Sequence, residues 1–178
     1  MVYSRRIRSF YTNHESRIFN SEYPFRMHPD FELLLQTRRN LLTLTEPYDL
    51  DSLNQIPVGF NNNLFWHLGH VVVTQHLLLY KNSGLPLAFS TGFIDAYRKG
   101  SKPDGKGTAE TLEFIQEQMI STVKQAAADY EAGKFGDYQP YPTSYGYELT
   151  SIEDALRFNN VHEGLHFGYA QALRRALG

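Results

Sequence analysis

The chain contains no cysteine and carries little net charge. The absence of cysteine excludes a disulfide framework, a thiolate zinc site and a protein thiol nucleophile, and it is compatible with a reducing cytoplasm. A formal charge of -2, from 17 basic and 19 acidic residues, provides no basic field for nucleic acid or for an anionic membrane surface. We therefore expect a cytoplasmic protein without a nucleic-acid partner.

The sequence also lacks an uninterrupted hydrophobic run of about 18 residues, which a membrane-spanning helix needs. Its most apolar stretch, residues 64–80, is interrupted by three histidines, Thr74 and Gln75. Hydrophobic residues nevertheless make up 42% of the 178 residues and aromatic residues 14%, which is enough for one sizeable core. We expect a single domain with no membrane partner.

Apolar residues recur at helical spacing in four segments of the chain. These segments are residues 29–45, 62–82, 109–132 and 151–177. Residues 83–107 form a long connection with at most a helical turn at residues 93–98, and the tyrosine-rich residues 134–149 form a loop. Four helices without a convincing strand predict an all-α four-helix bundle over residues 28–178, preceded by an irregular extension, residues 1–27. The long second connection lets helices two and three run parallel, in up-down-down-up order.

Capping side chains stand at the predicted helix starts. Asn61-Asn62-Asn63 offers caps for the second helix, and Thr108 offers one for the third. Thr150-Ser151-Ile152-Glu153 has the form of a capping box for the fourth helix. Residues 49–57, between the first two helices, are predicted to be a turn-rich connection.

Histidines in the second and fourth predicted helices suggest a metal site. His162 and His166 are four residues apart, so both rings project from one face of the fourth helix. The segment Trp66-His67-Leu68-Gly69-His70 offers a third imidazole from the second helix. If these helices are antiparallel, a rise of 1.5 Å per residue brings the rings near mid-height of a bundle roughly 30 to 35 Å long. Three imidazoles are the donor set of an open, catalytic type of divalent metal site.

The spelling His-Glu-x-x-His also raises the hypothesis of a zinc protease, in which Glu163 would be the general base. That mechanism needs a third ligand, usually well downstream, but the twelve residues after His166 contain no histidine and no acid. A peptidase is therefore disfavoured. Glu163 either forms an ion pair or hydrogen bond with a neighbouring helix, or it orients an imidazole or carries a proton at the site.

Two further residues of the fourth helix are candidates for contact with a bound ligand. Asn159 stands one turn before His162 and offers a bond to a metal-bound water or a substrate, although a satisfied buried contact explains it equally well. Tyr169 is a pocket-lining or core residue whose ring can border an apolar ligand.

The two histidine segments resemble those of the DinB-like family of metal-binding four-helix bundles, which includes DinB and YfiT-type proteins and small-thiol-dependent transferases. The resemblance rests on residues 61–70 and 162–168 and covers about residues 28–178. It implies that His70, His162 and His166 bind a divalent metal, commonly nickel or zinc, with positions open to water or substrate. It also implies a homodimer. His67 then lines the pocket or carries a proton, or it is an ordinary histidine at the rim of the bundle.

Two classes of function follow from these expectations. In the first, the protein is an enzyme whose metal activates a water or a low-molecular-weight thiol for attack on a small-molecule substrate. The resemblance favours a thiol-dependent transfer or detoxification reaction, with His67 or Glu163 as proton carrier. In the second, the protein is a non-catalytic metal-binding or stress-associated protein.

Overall fold

The structure is a computed structural model that describes residues 27–178. The predicted N-terminal extension, residues 1–27, lies outside the described residues except for Met27. The described chain is mostly helical, which confirms the all-α expectation. Its α-helices are α1 (Pro29–Thr45), α2 (Leu50–Asn54), α3 (Leu64–Leu79), α4 (Thr91–Tyr97), α5 (Ala109–Glu131) and α6 (Ile152–Leu177).

Side-chain caps set the starts of the long helices. The Asn63 and Thr108 side chains accept hydrogen bonds from the backbone N–H groups of Trp66 and Thr111, so both predicted caps are confirmed. The capping box of α6 is shifted by one residue from the predicted one. Ser151 is the N-cap and accepts from the Asp154 N–H, while the Asp154 carboxylate accepts from the Thr150 N–H and hydroxyl.

The connections contain short elements that the sequence patterns did not predict. Residues 50–54 form α2 because the Asp49 side chain caps the Ser52 N–H at 2.9 Å, where only a turn-rich connection was expected. The helical turn of the long connection is α4, which begins two residues before the predicted position. The tyrosine-rich loop contains a two-residue antiparallel ladder, β1 (Tyr141–Pro142) and β2 (Glu148–Leu149). A 3-10 turn, Lys81–Ser83, follows α3.

The four long helices pack side by side, with α1 and α3 each lying against α5 and α6. Helices α3 and α5 run parallel. The Thr122 hydroxyl of α5 donates to Gln75 of α3, and the later Asp129 of α5 accepts from Tyr80, the residue that follows α3. The connection between them returns to the start of α3, where Asn54 binds the Gly107 backbone. No helix within residues 27–178 is long and apolar enough to cross a bilayer.

A buried ion pair joins the four long helices at their centre. Arg38 of α1 and Glu163 of α6 are both fully buried, and the Arg38 Nη2 and Glu163 Oε1 atoms are 2.7 Å apart. The guanidinium also donates to the Val71 carbonyl of α3 and to Met119 O and Thr122 Oγ1 of α5. All five N–H bonds of the arginine therefore have acceptors, which is the condition under which a buried charge is tolerated.

We expect Arg38→Met to lower the free energy of unfolding by about 3 to 5 kcal/mol, because it leaves the Glu163 carboxylate buried without its cation. The double variant Arg38→Met, Glu163→Met should lose less than the sum of the single losses, since it removes both charges. Urea unfolding of the metal-free protein measures all of these values. Single losses below about 1 kcal/mol that simply add in the double variant would contradict this role of the pair.

Candidate metal centre

The three predicted metal ligands lie together between α3 and α6. One donor nitrogen from each of His70, His162 and His166 lies within 4.8 Å of the other two. The His162 Nε2 atom is 3.3 Å from His70 Nε2 and 3.1 Å from His166 Nε2. These separations suit a shared cation, because zinc bonds to imidazole of about 2.0 to 2.1 Å at tetrahedral angles place neighbouring nitrogens roughly 3.3 Å apart.

The backbone of α4 fixes the orientation of the His70 ring. The His70 Nδ1 atom lies 2.6 Å from the Tyr97 carbonyl oxygen. A carbonyl only accepts, so Nδ1 carries the proton and donates it, which leaves the Nε2 lone pair directed at the other histidines. The indole of Trp66 stacks on the His70 ring, with the two ring centroids 4.3 Å apart. Histidines that bind a metal typically donate their second ring N–H to a carbonyl or a carboxylate, as His70 does to the Tyr97 carbonyl.

His67 holds the ring of His166 in a similar way. The Nδ1 atoms of the two histidines are 2.8 Å apart, so one of them donates to the other. For His166 to present an Nε2 lone pair to a metal, its proton must be on Nδ1, and His67 must then be the acceptor. The His67 proton is in that case on Nε2, which is buried and has no hydrogen-bond partner in the structure. His67 thus contacts a candidate ligand and is not a member of the three-histidine cluster.

Burial keeps these imidazoles neutral. Loss of solvent contact, with a smaller effect from neighbouring histidines, lowers the pKa of His67 and that of His162 to about 3. The same cause lowers the pKa values of His70 and His166. Because only neutral imidazole has a lone pair to share, the cluster is ready to bind a cation at neutral pH.

The remaining predicted site residues lie around the cluster in different settings. Glu163 is bound by Arg38 and by the Asn159 amide, and no contact of its carboxylate with the histidines is present in residues 27–178. Complete burial raises the pKa of the Glu163 carboxyl, and Arg38 opposes that shift. Asn159 is fully buried, and its Oδ1 atom has no partner. Tyr169 is 38% exposed, with its ring centroid 4.9 Å from that of His67.

The sequence patterns did not identify three residues that shape the centre. Tyr97 acts through its carbonyl, a group that every residue has, so no sequence signal marked it. Gly69 was part of the quoted histidine segment, and its role is steric: a Cβ atom there would overlap the Tyr97 ring. The sequence does contain a feature that indicates a buried Arg38, because this charged residue lies within the apolar stripe of α1 formed by Leu34, Leu35, Leu41 and Leu42.

Comparison with protein families agrees with this architecture. The model of the DinB superfamily matches residues 33–170, a range that contains α3, α5 and all three histidines of the cluster. A search of curated proteins found no match. Because the family model covers well over half of the chain, the protein belongs to the DinB superfamily.

Proposed function

We propose that the protein is a metal-dependent enzyme in which His70, His162 and His166 hold one divalent cation, with nickel or zinc as the candidates. The observation that carries this proposal is the convergence of three imidazole donor atoms within 4.8 Å. Imidazole suits zinc, nickel, copper and iron, so the donor set fits a transition metal better than calcium or magnesium. The Tyr97 carbonyl and His67 support the proposal, because they orient two of the rings.

The reaction that we propose is transfer of a low-molecular-weight thiol to a small electrophile. The protein has no cysteine, so the sulfur must come from a second substrate. When bound, a divalent metal in a three-histidine site lowers the pKa of a coordinated water or thiol and so supplies a nucleophile near neutral pH. The chain's own residues position the reactants, exclude water and move the proton.

His67 is the residue that we assign to proton transfer. With an epoxide as electrophile, the sulfur–carbon bond forms as a carbon–oxygen bond breaks, the thiol loses its proton to solvent, and the new alkoxide must gain one. His67 lies beside His166, and its Nε2–H group, which has no partner, would donate that proton and then be reprotonated from solvent. We assign Glu163 a positioning role, because it follows His162 on α6 and its carboxylate binds Arg38 of α1. Tyr169 and Asn159 are the side chains proposed to border the bound substrate.

Other features of the proposal follow from family membership. We propose the up-down-down-up four-helix bundle of the superfamily, a homodimer and a cytoplasmic location. The parallel packing of α3 on α5 supports the bundle order. The antiparallel packing of α3 on α6, in which His67 contacts His166 and the later His70 contacts the earlier His162, also supports it. The alternative function is a non-catalytic metal-binding or stress-associated protein, which requires the same histidine cluster without thiol turnover.

We expect the protein, purified without a histidine tag, to contain about one equivalent of a divalent transition metal. His162→Ala should lose this metal, because it removes the donor atom that contacts both other ligands. His76→Ala is the matched control, since His76 is also a buried histidine of low pKa but lies outside the cluster. Elemental analysis measures the occupancy. Stoichiometric metal in His162→Ala would rule out the assigned ligand set.

Gly69→Ala should weaken metal binding about 10- to 100-fold, because a methyl group displaces the Tyr97 ring and with it the carbonyl that orients His70. Gly164→Ala is the control, since that glycine is also helical but its added Cβ atom meets nothing within 4 Å. Competition with a chelator of known affinity measures both dissociation constants. Equal affinities in the two variants would show that the Tyr97 contact does not set the geometry of the site.

Turnover separates the enzyme from the non-catalytic alternative. We expect the metal-loaded protein to conjugate a small thiol to an epoxide. At a saturating metal concentration, His67→Phe should lower kcat about 100-fold or more, the usual size of a proton-transfer effect. Product formation is followed by mass spectrometry. Inactivity of the fully loaded protein with a panel of small thiols would favour the alternative function, and full activity of His67→Phe would remove His67 from the mechanism.

A further inference from the structure

The Thr74 hydroxyl lies against the metal-facing side of the histidine cluster. Thr74 is one helical turn after His70 on α3, and its Oγ1 atom is 3.3 Å from His70 Nε2. The same nitrogen lies 3.3 Å from His162 Nε2. Because the proton of His70 is on Nδ1, where it binds the Tyr97 carbonyl, Nε2 is an acceptor and the threonine hydroxyl donates to it. The hydroxyl is therefore in direct contact with a lone pair that the proposed cation would take.

Thr74 is also the point at which α3 becomes accessible beside the cluster. Every residue of α3 is buried except Thr74 and Leu77, which are partly exposed. Spacings of four and three residues place His70, Thr74 and Leu77 on one stripe of the helix. In the cluster itself, His70 is buried, whereas His162 and His166 of α6 are partly exposed. A small molecule that reaches the cluster beside α3 therefore meets Thr74.

Thr74 supplies the accessible hydroxyl at this end of the cluster. Because α3 and α6 run antiparallel, Thr74 stands opposite the residues about one turn before His162. These are Asn159 and Phe158, whose half-buried ring has its centroid 6.3 Å from that of His162. Asn159 is fully buried, and its amide nitrogen binds Glu163. Of residues 27–178, Thr74 is the one whose hydroxyl contacts an Nε2 atom of the cluster.

We propose that Thr74 is a further ligand-binding residue of this site, whose hydroxyl donates a hydrogen bond to the thiol sulfur that binds the metal. The inference rests on the proposed function, because it concerns the ligand of the same site. In the metal-free protein the hydroxyl donates to His70 Nε2, and a cation bound to that nitrogen takes this acceptor away. The hydroxyl proton is then available to an incoming ligand. A hydrogen bond of this kind is stronger to an anionic acceptor than to a neutral one, so Thr74 favours ligands whose metal-binding atom is negatively charged.

Thr74→Val tests the proposal in the cobalt-loaded protein, because valine keeps the branched shape and removes the hydroxyl. Two probes differ in the atom that binds the metal. 2-Mercaptoethanol binds as a thiolate, whose sulfur has further lone pairs, whereas the nitrogen of imidazole has none left once it is coordinated. We expect the variant to bind 2-mercaptoethanol about five- to tenfold more weakly, from the loss of one hydrogen bond to a charged atom. Its affinities for imidazole and for cobalt should stay within about threefold of the wild-type values, because neither involves the hydroxyl proton.

Visible absorption of Co(II), including the thiolate charge-transfer band, measures all three affinities. Thr74→Ser should restore thiol binding to within about twofold, because it returns the donor. Thr45→Val is the matched control, since Thr45 is a buried helical threonine whose hydroxyl donates only to the backbone of its own helix among residues 27–178. It should leave all three affinities unchanged.

Unchanged thiol affinity in Thr74→Val would overturn the proposal, and so would an equal loss of thiol and imidazole affinity. A loss of cobalt affinity of more than about tenfold in that variant would overturn it too, because the hydroxyl would then hold the metal or His70 instead of the ligand. Failure of the wild-type protein to bind cobalt is a distinct result, which would overturn the proposed function and this inference with it.

Discussion

The structure depends on a single buried cation, the Arg38 guanidinium, and on the carboxylate that neutralises it. Its N–H groups reach α3, α5 and α6 from α1, so the four long helices are fixed relative to one another at one level of the fold. The acceptor on α3 is the carbonyl of Val71, next to His70, and the acceptor on α6 is Glu163, next to His162. The register that brings the two helices' histidines together is thus tied to this ion pair.

Around that frame, two of the three rings of the centre are each held by a group whose role is geometric, whereas the buried Nδ1 atom of His162 has no hydrogen-bond partner. The Tyr97 carbonyl determines the tautomer of His70, and His67 does the same for His166 when the latter binds a metal. Burial lowers the pKa values of His67, His70, His162 and His166, so these four imidazoles are neutral at neutral pH. The protein therefore prepares a set of lone pairs in a region with little other charge, a setting suited to a divalent cation.

The sequence predicted the long helices well, because apolar periodicity and capping residues are local signals. Helix α1 has the predicted bounds, and the predicted ends of α5 and α6 lie within one residue of the observed ones. Short elements such as α2 depend on one side-chain cap in a turn-rich segment, which periodicity does not detect. The convergence of His70 with His162 was predictable from helical rise, whereas the contribution of Tyr97 was not, since it depends on where the long connection returns to the bundle.

The central claim is that these three histidines bind one metal ion together. X-ray absorption of the zinc-loaded protein tests it most directly, because imidazole ligands give recognisable outer-shell scattering and bond lengths. The account predicts about three imidazole nitrogens at about 2.0 to 2.1 Å, with water or another light donor at the remaining position. A spectrum with one imidazole or none, or one dominated by carboxylate oxygens, would contradict it.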